Sequence, residues 1–192
     1  MDKHNSINNI IHIINSYKGI IFDLDGTLGK LHIDWPRLKK RLSQYSLDKG
    51  YGNIEFQPLA QTLFFIKGTY GQVVFHNFLH IVKEEEKKSV FTPNRAIIAC
   101  MNTATDKKIG IYSMNTTSCI QSISTKYFGR SPDIIIGLDV ATEVKPGRED
   151  IDRIIGRWSM TKSDVILVGD SDVDMYSGQL AGIATVRINY EK

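Results

Sequence analysis

Asp23 and Asp25 stand two residues apart where an apolar run, Gly19-Ile20-Ile21-Phe22, gives way to charge. Unpaired buried charge is costly, so a buried strand that ends in carboxylates commonly ends at a site. If strand geometry continues through them, the two side chains start on one face. Carboxylates crowded in that way repel unless a cation lies between them or one keeps a proton. Gly26 follows and permits a turn that a residue with a Cβ resists. Asp-x-Asp-Gly also opens calcium loops, but that pattern fails here. Counted from Asp23, position twelve is Asp34 rather than glutamate, and Leu28 and Lys30 fall inside the loop.

Three further islands carry related chemistry. Ile111-Tyr112 leads into Ser113 and Asn115; Val144-Lys145-Pro146 isolates a lysine; Ile166-Leu167-Val168-Gly169 ends in Asp170, with Asp172 and Asp174 close behind. Asp23, Asp25 and Asp170 offer hard oxygen ligands of the kind that suit Mg²⁺, which takes few protein carboxylates together with water and phosphate oxygens. Ser113 offers a hydroxyl donor, and Lys145 a point cation suited to phosphate. Strand ends add backbone N–H donors. A cation, a lysine and donors around a carboxylate make a cradle for a dianion under attack, and phosphoryl transfer needs mainly that positioning and charge. One carboxylate can be the nucleophile. A second is then needed as acid and base, because the first is tied up by phosphorus.

The elements around these islands are short apolar strands alternating with helices. Strands are predicted over about 19–24, 109–113, 133–137, 165–169 and 184–188, and helices over about 92–106, 116–127, 148–158 and 172–180. That alternation predicts an α/β fold with a parallel sheet covered on both faces. Ligands in such sheets bind beyond the carboxyl ends of the strands, where Asp23, Asp25, Ser113 and Asp170 all fall. Ile10, Ile11, Ile13 and Ile14 predict a short amphipathic helix ahead of the first strand.

Residues 31–91 read as a helical insertion. Asp34-Trp35-Pro36 looks like an N-cap with proline in the first turn, leading a helix over 37–47. Further helices are predicted over 57–66 and 70–88. In the last, Val74, Phe75, Phe78, Leu79 and Val82 form one apolar stripe. His76, His80 and Glu84 fall on the other face at a spacing that suits a metal. The charged run 83–88 favours a solvated face there instead.

Composition bounds the rest. The 192 residues are 42% hydrophobic and 23% charged, the balance of a globular protein of one domain with a sizeable insertion. A net charge of +3 with dispersed Lys and Arg gives no nucleic-acid footprint. Cys100 and Cys119 lack metal-ligand spacing and read as reduced thiols on helices. No stretch is long enough for a membrane span, and no signal-peptide pattern is present, so a cytoplasmic protein is expected.

Phe22-Asp23-Leu24-Asp25-Gly26-Thr27-Leu28 resembles the first motif of the haloacid dehalogenase superfamily, and the islands ending in Ser113, Lys145 and Asp170 resemble its second, third and fourth, in the family's order. The resemblance implies a Rossmann-like doubly wound parallel sheet with a small α-helical cap inserted after the first strand. The core would be residues 1–30 and 92–192, and the cap residues 31–91. It implies Asp23 as nucleophile and Mg²⁺ ligand, and Asp25 as general acid/base with its carbonyl on the metal. Ser113, Asn115 and Lys145 match the phosphate binders, Asp170 the third Mg²⁺ ligand, and Asp174 and Thr27 supporting residues. An acid at Asp25 separates the chain from the dehalogenases and phosphonate-cleaving members. What remains is a Mg²⁺-dependent phosphatase of small phosphate monoesters acting through an aspartyl-phosphate, resembling the phosphoglycolate-phosphatase-like branch. A phosphomutase of the same fold, or a non-catalytic binding module, are the alternatives. The expected partner is a small phosphorylated metabolite, and the expected state a monomer or homodimer. Gly29-Lys30 stands where relatives commonly carry Asp-Ser, which counts against phosphoglycolate itself. Lys30, His32, Arg37 and Lys67 are candidates for substrate contact, but each reads more readily as an ordinary surface residue.

Overall fold

The computed structural model describes residues 7–189, with side chains from residue 9. In chain order the elements are α1 (Ile7–Asn15), β1 (Gly19–Phe22), β2 (Gly29–His32), α2 (Trp35–Asp48), α3 (Leu59–Lys88), β3 (Val90–Pro93), α4 (Arg95–Thr103), β4 (Lys108–Tyr112), α5 (Thr117–Tyr127), β5 (Ile134–Ile136), α6 (Glu149–Trp158), β6 (Val165–Gly169), α7 (Asp172–Ala181) and β7 (Ala184–Arg187). The chain divides into two compact units: one ends at Lys30 and resumes at Phe91, and the other is Leu31–Val90.

The first unit is built on a five-stranded sheet in the order β5-β4-β1-β6-β7, with its pairings parallel. Every residue of β1 and β6 is buried, so the sheet is covered on both faces. Helices α6 and α7 pack on each other, α6 also on β4, and α7 on β6 and β7. The N-terminal helix buries Ile10 and Ile14 and packs against α4. The sheet order puts β1 at the centre with β4 and β6 beside it. Three of the four motif islands therefore end on adjacent strands. Cys100 on α4 and Cys119 on α5 are not joined in a disulfide, and burial pushes Cys100 up to about 11.

The second unit is helical. Asp34 caps α2 by accepting a hydrogen bond from the Arg37 N–H at 3.0 Å, with Pro36 in the first turn. Phe75, Phe78, Leu79 and Val82 are buried, and Val74 lies at the edge of their stripe. Phe78 gathers Tyr45, Tyr51 and Phe56 around it. On the other face His76 and His80 are exposed, and Glu84 pairs with Arg41. Among the described residues these three form no metal-ligand group.

The two helices expected over 57–66 and 70–88 are both present within α3 and meet at Gly71, whose φ of 85° only glycine adopts readily. The sequence reading needs two corrections. The helix expected from residue 92 begins at Arg95, because Val90–Pro93 is a strand paired with β2, and Asn94 caps α4 by accepting from the Ile97 N–H. The first strand ends at Phe22 rather than Leu24.

Candidate active site

The early end of β1 sets the site. Asp23 still donates its N–H to Val168 of β6, but the Leu24 carbonyl then accepts from the N–H groups of Thr27, Leu28 and Gly29. The chain therefore coils into a tight loop instead of continuing as a strand. Gly26 makes the loop possible: its φ is 97°, and a Cβ there would lie 2.2 Å from Asp170 Oδ2. The Asp23 and Asp25 side chains consequently part company. Asp23 lies among Lys145, Asp170 and Asp174, while Asp25 pairs with Lys30 at 3.2 Å.

Lys145, on the segment between β5 and α6, is buried, and its ammonium lies 2.7 Å from Asp23 Oδ1 and 2.8 Å from Asp174 Oδ1. Its charge also stands 4.6 Å from the centroid of the Tyr112 ring, whose buried hydroxyl has no hydrogen-bond partner among the described residues. Asp174 is aimed by the start of α7. Its Oδ2 accepts from the N–H and hydroxyl of Ser171, while Ser171 Oγ accepts from the Asp174 N–H. One carboxylate oxygen thus serves the helix cap, and the other faces Lys145.

Asp170 follows β6, and its Oδ1 accepts a hydrogen bond from the Thr27 hydroxyl at 3.4 Å. Arg187 Nε donates to the Asp170 carbonyl at 2.9 Å, tying this loop to the end of β7. Ser113, one residue past β4, donates its hydroxyl to Asn115 Oδ1 at 3.1 Å, and both side chains are buried. Asp172 is an exposed first residue of α7, paired with Arg187 and apart from the cluster.

Oxygens of Asp23, Asp170 and Asp174 lie within 4.8 Å of one another. Burial pushes the Asp23 carboxyl up to about 7; Lys145 opposes that shift, and the Asp174 and Asp170 charges add to it. Burial, then the charges of Asp174 and Asp25, also raise Asp170. Burial works against the charged forms of Asp174 and Lys145 too, but their mutual attraction prevails. It holds Asp174 below the usual carboxylate range and, with Asp23, holds Lys145 above the usual lysine range. Negative charge at Asp23 and Asp170 is therefore only partly compensated by the protein. A compact set of hard oxygen donors with that deficit fits a small divalent cation such as Mg²⁺.

Two residues that position the site were not singled out in the sequence. Asp150 is fully buried and accepts from the Thr142 N–H and hydroxyl and from Arg153, which braces the segment carrying Lys145. Asp139 accepts from the N–H and hydroxyl of Thr117, both at 2.7 Å, which fixes the start of α5 just after Asn115. Asp150 carried a faint signal as one of three acids in the first turn of a helix. Asp139 carried none.

Comparison with known proteins is consistent with this architecture. A family model described as haloacid dehalogenase-like hydrolase matches residues 20–188. Pyrophosphatase PpaX of Halalkalibacterium halodurans is 33% identical over 58 residues, which are 30% of this chain and 27% of that protein, so the match spans about a quarter of that relative. Among solved structures, a haloacid dehalogenase-like hydrolase from Bacteroides fragilis superposes with a TM-score of 0.60 at 22% identity, over 89% of this chain and 87% of that one. A protein described as a predicted phosphoglycolate phosphatase from Haemophilus somnus gives 0.59 at 21% identity, over 90% and 85%. CbbY of Rhodobacter sphaeroides, solved with xylulose-1,5-bisphosphate, gives 0.57 at 14% identity, over 88% and 84%. At these identities the structural likeness speaks for the fold.

Proposed function

The chain belongs to the haloacid dehalogenase-like hydrolases, and from that premise we propose that it is a Mg²⁺-dependent phosphatase of small phosphate monoesters. The observation that carries this reading is the buried Lys145 lying between Asp23 and Asp174, with Asp170 beside them. No simple structural role calls for three carboxylates and a lysine to be desolvated together at the ends of central strands. A small phosphorylated metabolite is the ligand that such a charge pattern suits. Two cysteines outside any disulfide fit a reducing, cytoplasmic setting, and among the described residues no helix is long and apolar enough to cross a membrane.

Asp23, Asp170 and the Asp25 carbonyl would hold the Mg²⁺, with Asp174 in support, and the ion would offset the repulsion between a carboxylate and a phosphate. Lys145 adds positive charge at Asp23, where burial weakens dielectric screening. Ser113 and Asn115 supply donors to the phosphoryl oxygens. Asp23 attacks phosphorus, and the bond to the leaving oxygen breaks as Asp25 gives that oxygen its proton. Asp25, now a carboxylate, takes a proton from the water that releases phosphate from Asp23. Residues 31–90, a separate helical unit, are the part of the chain assigned to substrate specificity in this reading.

A panel of phosphate monoesters tests this. Hydrolysis is expected with Mg²⁺, none in EDTA, and recovery on re-adding Mg²⁺. Ca²⁺ substitutes poorly, because its larger coordination shell takes up both oxygens of an attacking carboxylate. Full turnover in EDTA would overturn the carboxylate–metal site.

A further inference from the structure

The Asp25 carboxylate is accompanied by a cation. Lys30 Nζ lies 3.2 Å from Asp25 Oδ2, and the lysine side chain remains 46% exposed. Its backbone is pinned. A Cβ on Gly29 would lie 2.2 Å from the Phe91 ring and 2.5 Å from the Thr92 carbonyl. Asn94 donates its N–H to the Leu28 carbonyl and its side-chain amide to Thr27 O. The Lys30 stem therefore starts from a fixed point, and only its flexible end is free to move.

Resting on the phosphatase reading, we propose that Lys30 is a specificity residue: its ammonium, held beside Asp25, receives an anionic group on the leaving-group side of the substrate. Preferred substrates are then phosphate esters or anhydrides whose leaving group itself carries negative charge.

Geometry and charge lead there. An acid must come within hydrogen-bond reach of the oxygen it protonates, so the bridging oxygen sits beside Asp25, and Lys30 lies about 6 Å from it at most. An anionic group two or three bonds beyond that oxygen falls within ion-pair distance of the ammonium. Such a group needs a cation there, because the negative charge of Asp23, Asp170 and Asp174 would otherwise repel it. Lys145 cannot serve, being buried between Asp23 and Asp174. An ammonium is a compact point charge without a preferred anion geometry, so carboxylate and phosphate leaving groups share this chemistry.

The test measures kcat/KM for the full-length protein with Mg²⁺ on four probes. Inorganic pyrophosphate and O-phosphoglycolate carry anionic leaving groups; glycerol 2-phosphate and p-nitrophenyl phosphate do not carry a second anionic group. Lys30→Gln is expected to lose about 10- to 100-fold on an anionic probe, chiefly in KM, and at least about tenfold less on the other pair. Lys30→Arg is expected to restore most of the discrimination. Whichever anionic probe falls further identifies phosphate or carboxylate as the group bound. An equal loss on all four would mean that Lys30 acts only through Asp25, and no loss would mean a surface ion pair; either result overturns the proposal while the phosphatase reading stands. A wild-type protein inert on every monoester and on pyrophosphate overturns both.

Discussion

At the scale of single residues, the informative position is Asp23. Its ordinary value is 3.8, and in the folded protein burial pushes it to about 7. Between those values the folded state holds a proton that the unfolded chain has released, so stability falls as pH rises through that window when no divalent cation is bound. Asp23→Asn keeps the shape and still accepts a hydrogen bond from Lys145, but removes the charge and the nucleophile. Turnover is expected to fall to background. In EDTA at pH 8 the variant is expected to melt above the wild type, each kcal/mol of relief raising the midpoint by about 2–4 °C. Near pH 4, where wild-type Asp23 is itself protonated, the two curves should converge. Substantial residual activity would remove Asp23 as nucleophile. Coincident melting curves at both pH values would mean that its buried charge costs the fold nothing.

At the scale of elements, the site depends on how loops are braced. Lys145 sits on an irregular segment, and Asp150 ties that segment to the first turn of α6 through Thr142. Asp150→Ala removes two hydrogen bonds from Thr142 to a buried carboxylate, about 1 kcal/mol each, so the melting midpoint drops by roughly 4–8 °C. The looser segment delivers Lys145 less accurately, and kcat/KM should fall about tenfold with most of the loss in KM for the phosphate ester. A variant that melts early but keeps wild-type kcat/KM would show that the brace serves the fold alone. The strands and helices themselves were largely readable in the sequence. Period and caps gave α2 through Asp34 and Pro36, and the unbroken apolar run gave β6 to the residue. The paired strands β2 and β3 were missed because four residues each, one with alternating burial across a glycine, carry too little periodic signal.

At the scale of the whole molecule, Leu31–Val90 and the remainder are separate compact units, and the sheet with its covering helices belongs wholly to the latter. Replacing residues 31–90 by a short linker should leave a cooperatively melting α/β protein by circular dichroism. All the candidate catalytic residues remain in it, so it should still hydrolyse p-nitrophenyl phosphate. If residues 31–90 are the specificity unit proposed above, it should also discriminate less among natural esters. A deletion protein that cannot fold would show that the insertion contributes to the main core.

Sequence alone determined where the candidate site residues lie. A carboxylate pair after a buried strand, a Gly-Asp after another and a serine after a third need no coordinates to be placed at the carboxyl edge of a parallel sheet, because strand length and polarity are local properties. Tertiary structure decided which of those groups meet. The loop closed by Gly26 turns Asp25 away from Asp23 and toward Lys30, and the cap of α7 brings Asp174 into the cluster as a partner of Lys145. Asp139 and Asp150 gained their roles only through Thr117 and Thr142. Such pairings join residues far apart in the chain or within irregular loops, where no period runs and a one-residue shift in backbone path redirects a carboxylate.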